Sequence, residues 1–264
     1  MSFRLHIIGS SSSGNCGLLV AGQTRVLIDA GFSARRIKQA LSSIGENIED
    51  IDAVFITHEH SDHIGGVSGL ARLKRPVFFA NQDTARAVQD TCEVARPNWK
   101  IFETGTSFHF QDITVHAFSI PHDAADPVGY TFTFGDGTDA SPRQTVAWVT
   151  DLGYVPQLVR EKLKCVDCLV LESNYDPAML DNSTRPLSLK QRIRGRHGHL
   201  SNDDTLELLM TLENDRLRRV FLAHLSRECN TPALVDAALA AAKAIRGNCV
   251  FTVIPPDATA PISL

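Results

Sequence analysis

His58, His60, Asp62 and His63 crowd three imidazoles and a carboxylate into one short stretch. Directly before them runs Ala53-Val54-Phe55-Ile56, an apolar segment of the kind that forms a buried strand. A strand that ends in such groups cannot bury them alone, because unpaired polar and charged groups are costly inside a protein. A surface turn that is rich in histidine would avoid the cost. A metal site resolves it better, because four ligand-type residues follow a core strand at once. His58 and His60 are two apart and point the same way in extended chain. Imidazole with carboxylate suits zinc or manganese, and the split into two pairs points to two ions.

Elements must carry this stretch to the rest of a site. Strands are expected at residues 3–8, 17–21, 24–28, 52–56, 76–80, 106–110, 113–120, 128–134, 145–150, 167–171, 219–223 and 249–254. Residues 9–15, rich in serine and glycine, read as a loop, and Gly22-Gln23 as a hairpin turn. Ser33 caps a helix whose stripe is Ile37, Ala40, Leu41 and Ile44, and Gly45 ends it. Asp83 is placed as the cap of another helix. Ser201 and Asp204 form a capping box for a helix over 205–212. Thr231-Pro232 opens a last helix that closes at Gly247. Residues 173–199 lack periodicity and carry Arg185, Lys190, Arg192, Arg194 and Arg196, as functional loops often do. Strands alternating with helices predict an α/β chain with two mixed sheets covered by helices, in one domain over 1–264.

Asp29, His58, Asp151, Glu172 and His224 each close an apolar, strand-like run. Ligands gather outside the carboxyl ends of strands in open α/β sheets, so these residues predict one shared pocket. The 264 residues are 43% hydrophobic and 21% charged, as in globular proteins, and no apolar run reaches the ~20 residues of a membrane span. Met1-Ser2-Phe3-Arg4 shows no signal-peptide pattern, which predicts a cytoplasmic protein with no membrane partner. Its six cysteines are then reduced. Cys165-x-x-Cys168 lacks a second pair for zinc, so these two, Cys92 and Cys249 read as buried thiols. His6, His109 and His116 fall inside strand patterns and read as structural. A formal charge of −4 argues against a nonspecific nucleic-acid coat but permits a local basic patch.

The run His58-x-His60-x-Asp62-His63 resembles the signature of the metallo-β-lactamase superfamily. Glu172-Ser173-Asn174-Tyr175-Asp176 resembles the acidic motif of its nuclease branches. Gly198-His199-Leu200-Ser201-Asn202 is similar to the histidine element of RNase Z and the β-CASP nucleases, and Ala223-His224-Leu225-Ser226-Arg227 to the closing motif of RNase Z. Together with Gly9-Ser10-Ser11-Ser12-Ser13-Gly14-Asn15 and the run from His122-Asp123 to Gly129-Tyr130, the set resembles the YycJ/WalJ family of metallo-β-lactamase-fold exonucleases. Tyr175 stands where that family often has His, and Cys229 where it often has Asn.

The resemblance implies a four-layer αββα sandwich. It implies one ion held by His58, His60 and His122, a second by Asp62, His63 and His224, and Asp151 bridging them. A shared hydroxide would be the nucleophile, with Asp62, Asp151 and His199 in catalysis. Asp29, Asp123 and Glu172 would orient ligands. Ser12, Arg194, Arg196, Ser201 and Asn230 are the expected substrate contacts, with Arg192 joining the two arginines in gripping a nucleic-acid backbone, although a helix cap alone explains Ser201. The implied reaction is hydrolysis of phosphodiester bonds in single-stranded DNA, from the 5′ end. The competing function is a small-molecule hydrolase of the same fold, acting on a thioester or cyclic phosphodiester. A thioesterase would not need Glu172, His199 or the basic segment. A metal-binding regulator without turnover or a flavo-diiron protein is a third reading, and the latter usually has Glu where His60 stands.

Overall fold

The computed structural model describes residues 3–91, 96–139, 141–258 and 260–263. Two seven-stranded sheets pack face to face. The first contains β1 (Phe3–Ser11), β2 (Gly14–Ala21), β3 (Thr24–Ile28), β4 (Ala53–Phe55), β5 (Val77–Asn81) and β6 (Trp99–Phe102), in that order. The second contains β7 (Ser107–Phe110), β8 (Ile113–Ser119), β9 (Val128–Phe134), β10 (Gln144–Val149), β11 (Cys168–Glu172), β12 (Arg219–Ala223) and β13 (Val250–Val253), also in sequence. A short β14 (Ile262–Ser263) pairs with β1 at the edge of the first sheet. In each sheet the later strands, β3 to β6 and β10 to β13, run parallel.

Three apolar clusters define four layers. Leu5, Val26 and Phe55 of the first sheet meet Val115, Tyr130 and Trp148 of the second in the central one. Helices α1 (Ala34–Ser43), α2 (Ser61–Ile64), α3 (Val67–Leu70) and α4 (Gln82–Thr91) cover the outer face of the first sheet through Ile37, Leu41, Val67 and Val88. The outer face of the second is covered by α5 (Gln157–Leu163), while α6 (Pro177–Asn182) and α7 (Leu187–Arg194) stand apart over a small cluster of Tyr175, Leu180, Ile193 and Cys229. Helices α8 (Asn202–Thr211), α9 (Pro232–Ala238) and α10 (Ala240–Ile245) complete that layer. The αββα sandwich expected from the sequence is the observed fold.

Local differences have local causes. The expected loop at 9–15 belongs largely to β1 and β2, because Ser10 and Ser11 are buried and Ser10 donates to Asn15 Oδ1. Asn81, not Asp83, caps α4 by accepting from the Thr84 amide. The aperiodic 173–199 segment holds α6 and α7. The final helix breaks at Leu239 into α9 and α10. The edge strands β6 and β14 carry little apolar alternation and were not anticipated. Cys16, Cys168 and Cys229 are buried free thiols, but Cys165 is exposed and Cys249 partly so. Cys92 lies outside the described residues. Among the described residues no helix is long and apolar enough to cross a membrane.

The core fixes the strand that leads into the histidine motif. Phe55 stacks on Phe79 at 4.6 Å and meets Phe132 edge-on at 5.3 Å across the sandwich. Such pairs contribute roughly 0.5–1.5 kcal/mol each beyond their burial. Tyr130 Oη donates to the Ile56 carbonyl at 2.5 Å, two residues before His58. After β3 the chain passes so close to the motif that a Cβ on Gly31 would lie 1.7 Å from the Asp62 carbonyl oxygen. Because the obstacle is backbone, Gly31→Ala is expected to destabilise the fold by roughly 2–3 kcal/mol and to weaken metal binding with it. Urea unfolding at wild-type midpoint would contradict this packing.

Candidate metal centre

The two blocks of parallel strands deliver their carboxyl ends to one place. Asp29 follows β3, His58 follows β4, Asp151 follows β10, Glu172 ends β11 and His224 follows β12. Asp29, Asp151 and His224 have left-handed backbones, with φ of 58°, 63° and 56°. That region is costly for residues other than glycine. Here it kinks the chain at the strand end, and the packed sheets on either side hold the kink.

The side chains converge in sets whose ligand atoms lie within 4.8 Å of one another. His58, His60 and His122 make one, and Asp62, His63 and His224 another. His58 and His63 also group with Asp151, and Asp151 with Glu172, His199 and His224. Asp151 thus lies between the two triads, 3.3 Å from His63 Nε2 and 3.8 Å from His122 Nε2.

Whether this set fits cations can be read from its hydrogen bonds. His63 Nδ1 is 2.8 Å from Asp29 Oδ2, His122 Nδ1 is 3.1 Å from the Gly198 carbonyl, and His224 Nδ1 is 2.7 Å from Glu172 Oε1. Each acceptor calls for a proton on Nδ1, which leaves the Nε2 lone pair facing the cavity, the usual arrangement of metal-ligating histidines. His58 Nε2 and His122 Nε2 crowd His60 Nδ1 at 3.1 and 3.3 Å, and one ring proton cannot satisfy three nitrogens. The buried atoms Asp151 Oδ2 and His224 Nε2 have no hydrogen-bond partner. The donor set therefore fits divalent cations.

The charges say the same. Burial pushes His63 towards the neutral form, but Asp151, Asp29 and Asp62 outweigh it and hold its pKa well above the ordinary value. Burial opposes His224 likewise, yet Asp151, Asp62 and Glu172 raise it to about 10. Burial and the neighbouring His63 drive His58 well below its usual value. Asp29, Asp62, Asp151 and Glu172 thus demand positive charge that the ring protons supply, and bound metal would displace those protons.

Glu172 has a larger part than the strand-end pattern revealed. Its buried Oε1 meets both His224 Nδ1 and, at 2.9 Å, His199 Nδ1, while Oε2 accepts the Leu152 and Leu200 amides. Burial works against its charge, but His199 and His224 bring its pKa down to about 2. Asp29 does similar work, accepting the Thr57 amide at 2.8 Å and the Thr57 hydroxyl at 3.0 Å. Thr57 and Asn15 escaped the sequence reading. Asn15 Nδ2 donates to Asp62 Oδ2 at 3.1 Å and lies 3.0 Å from His63 Nε2. In the sequence Thr57 merely adjoins His58, and Asn15 closes the serine- and glycine-rich run 9–15.

The cavity over the ligands encloses about 170 Å³. Ser12, Asp123 and His199 line it together with the ligands, and Arg185, Leu189, Arg192 and Ile193 form a wall of and beside α7. Of the expected substrate contacts, Ser12 lines this cavity, while Arg194 and Arg196 are not among its lining residues. Arg194 pairs with Asp181, and the Arg196 guanidinium lies 4.3 Å from the Tyr154 ring centre. Arg192, also on α7, lines the cavity and pairs with Asp123 at 2.5 Å, and Arg185 pairs with Glu228 at 2.9 Å. Ser201 is buried in its capping box, and Asn230 donates to the Ser173 carbonyl and lines a different cavity. Asp123 Oδ1 lies 3.5 Å from His122 Nε2.

A four-layer sandwich with this ligand set defines a metal-dependent hydrolase of the metallo-β-lactamase fold. The beta-lactamase superfamily domain matches residues 24–225. The exodeoxyribonuclease WalJ of Streptococcus pneumoniae is 35% identical over 237 residues, 89% of this chain and 86% of that one. The exodeoxyribonuclease YycJ of Bacillus anthracis is 32% identical over 235 residues, with the same two coverages of 89% and 86%. The chain belongs to this YycJ/WalJ-like family of the superfamily. The metallo-beta-lactamase fold protein YhfI from Bacillus subtilis superposes over 100% of both chains with a TM-score of 0.72 at 13% identity, and so shares the fold.

Glu172→Gln removes the charge that two imidazoles share. Metal affinity is expected to fall about 10- to 100-fold, as when other partners of ligating histidines are lost. Calorimetric zinc titration giving the wild-type affinity would show that Glu172 does not support the centre.

Proposed function

We propose that the chain is a dinuclear metal-dependent nuclease that digests single-stranded DNA from the 5′ end. The observation that carries the reading is the grouping, around one small cavity, of the metal-ligand triads, the Glu172-held His199 and two arginines. The names of the two family relatives support the DNA substrate.

His58, His60 and His122 would hold one ion, and Asp62, His63 and His224 the other, with Asp151 serving both. Bound ions supply an activated water and neutralise phosphate charge. The chain's other residues then have separable tasks. Glu172 fixes His199 Nδ1 as a donor, so Nε2 is the atom that meets substrate. With a proton on each ring nitrogen, Nε2–H hydrogen-bonds a phosphate oxygen or passes its proton to the leaving oxygen, which leaves the ring neutral with Nδ1–H still on Glu172. Arg192 and Arg185 stand where backbone phosphates enter, and their carboxylate partners, Asp123 and Glu228, hold them in place until a phosphate competes. Leu189 and Ile193 give that wall an apolar face against bases and help to exclude water.

The test offers fluorescent single-stranded DNA, RNA and a thioester to the protein with and without manganese. Metal-dependent release of mononucleotides from DNA is the expected result, and thioester turnover with intact strands would overturn the reading. In the same assay His199→Ala should retain metal and fold while kcat falls ~100-fold or more. Wild-type turnover by that variant would leave His199 a structural role only.

A further inference from the structure

Beside the metal cavity lies a larger groove of about 900 Å³, walled by α1 on one side and by Arg227, Asn230, Thr231 and Pro232 on the other. Two ridges separate them. Along β1 into its hairpin, Ile8 lines the groove and Ser12 the metal cavity. After β12, His224 lines the metal cavity and Arg227 the groove. Ile8 and Ser12 are four residues apart and His224 and Arg227 three, and four residues of extended chain span about 13 Å at most, so the linings of the two cavities approach within that distance.

Its charges are unlike those of the wall around the metal cavity. Arg185 and Arg192 each hold a carboxylate. Arg36 and Arg227 line the groove, and among the described residues neither has a carboxylate within 4.0 Å. The Arg36 guanidinium lies 3.8 Å from the Phe32 ring centre, which fixes its plane, and Arg227 donates through Nε and Nη2 to the Pro256 carbonyl. Among the described residues Asp257 is the one acidic residue in the lining, and Gln39, Ser43 and Thr231 add neutral hydrogen-bonding groups. In a chain of net charge −4, two guanidiniums without carboxylates facing one groove create a local place for anions. The groove is far larger than one phosphate needs.

We infer that this groove holds the single-stranded substrate some nucleotides away from the bond being cut, with Arg36 and Arg227 each meeting a backbone phosphate. The inference rests on the nuclease reading and adds to it a second binding site. Backbone contacts of this kind tolerate any sequence and depend on salt. Strands too short to reach the groove should therefore be poorer substrates than strands that fill it.

The experiment measures kcat/KM of the manganese-loaded enzyme on oligothymidylates of increasing length, from a dinucleotide upwards. In the wild type the value should rise roughly tenfold and then level off, as two exposed charge contacts of ordinary strength imply. In the Arg36→Gln/Arg227→Gln variant the ratio of long to short should fall towards one. Its salt slope on long strands should flatten by about 1.4, two single-strand phosphate contacts. Ser43→Lys, which gives up only the hydroxyl's hydrogen bond to the Ala40 carbonyl within α1, should raise the ratio. A wild type indifferent to length, a double variant that keeps the ratio, or a Ser43→Lys ratio no higher than wild type would overturn the groove while leaving the nuclease intact. A wild type that cuts no strand of any length would refute the nuclease reading, and the groove with it.

Discussion

Buried charge is the constraint on which the rest depends. Asp29, Asp151 and Glu172 are withdrawn from water, and Asp62 beside them nearly so, at the junction of two sheets. Such groups are tolerated only when opposite charge and hydrogen bonds compensate them. Imidazoles provide part of that compensation, and the lone pairs left on His122, His63 and His224 face the cavity where cations would provide the rest. The sandwich is arranged to hold this junction. Its parallel strands end there, an aromatic cluster under Phe55 fixes β4, and Tyr130 pins the Ile56 carbonyl.

The backbone contributes as much as the side chains. Left-handed conformations at Asp29, Asp151 and His224 would be unfavourable in a free chain. They persist because the sheets fix the residues before them and the outer clusters fix the residues after, Ala30, Leu152 and Leu225. Strain at a strand end turns an outward-running chain so that its polar group faces the cavity. The same turn brings Gly31 against the Asp62 carbonyl, which ties the first acidic residue to the histidine motif through main chain alone.

Much of the centre was legible in the sequence. The local density of His58, His60, Asp62 and His63 needs no tertiary information, and a polar residue closing an apolar run identified Asp29, Asp151, Glu172 and His224. His122 was reached through resemblance, since nothing local distinguishes it. What was not legible is which arginine of the basic segment faces the cavity. Arg192, Arg194 and Arg196 alternate along a basic segment, and only the register of α7 and the carboxylates around it place Arg192 on the cavity wall while sending Arg194 to Asp181. Ser10 and Ser11 look like loop residues by composition, yet burial and the hydrogen bond from the His224 amide to Ser10 Oγ make them part of the supporting sheet. Exposed polar contacts are decided by partners distant in sequence, whereas core strands and dense ligand motifs announce themselves locally.

The proposed centre requires the buried carboxylates to be balanced by two cations in two distinct triads. Anomalous diffraction from crystals of the zinc- or manganese-loaded protein tests it most directly. Two peaks are predicted, one bounded by His58, His60 and His122 and the other by Asp62, His63 and His224, with Asp151 at both. A single peak, or one lodged among Glu172, His199 and His224 in place of the second triad, would contradict the account.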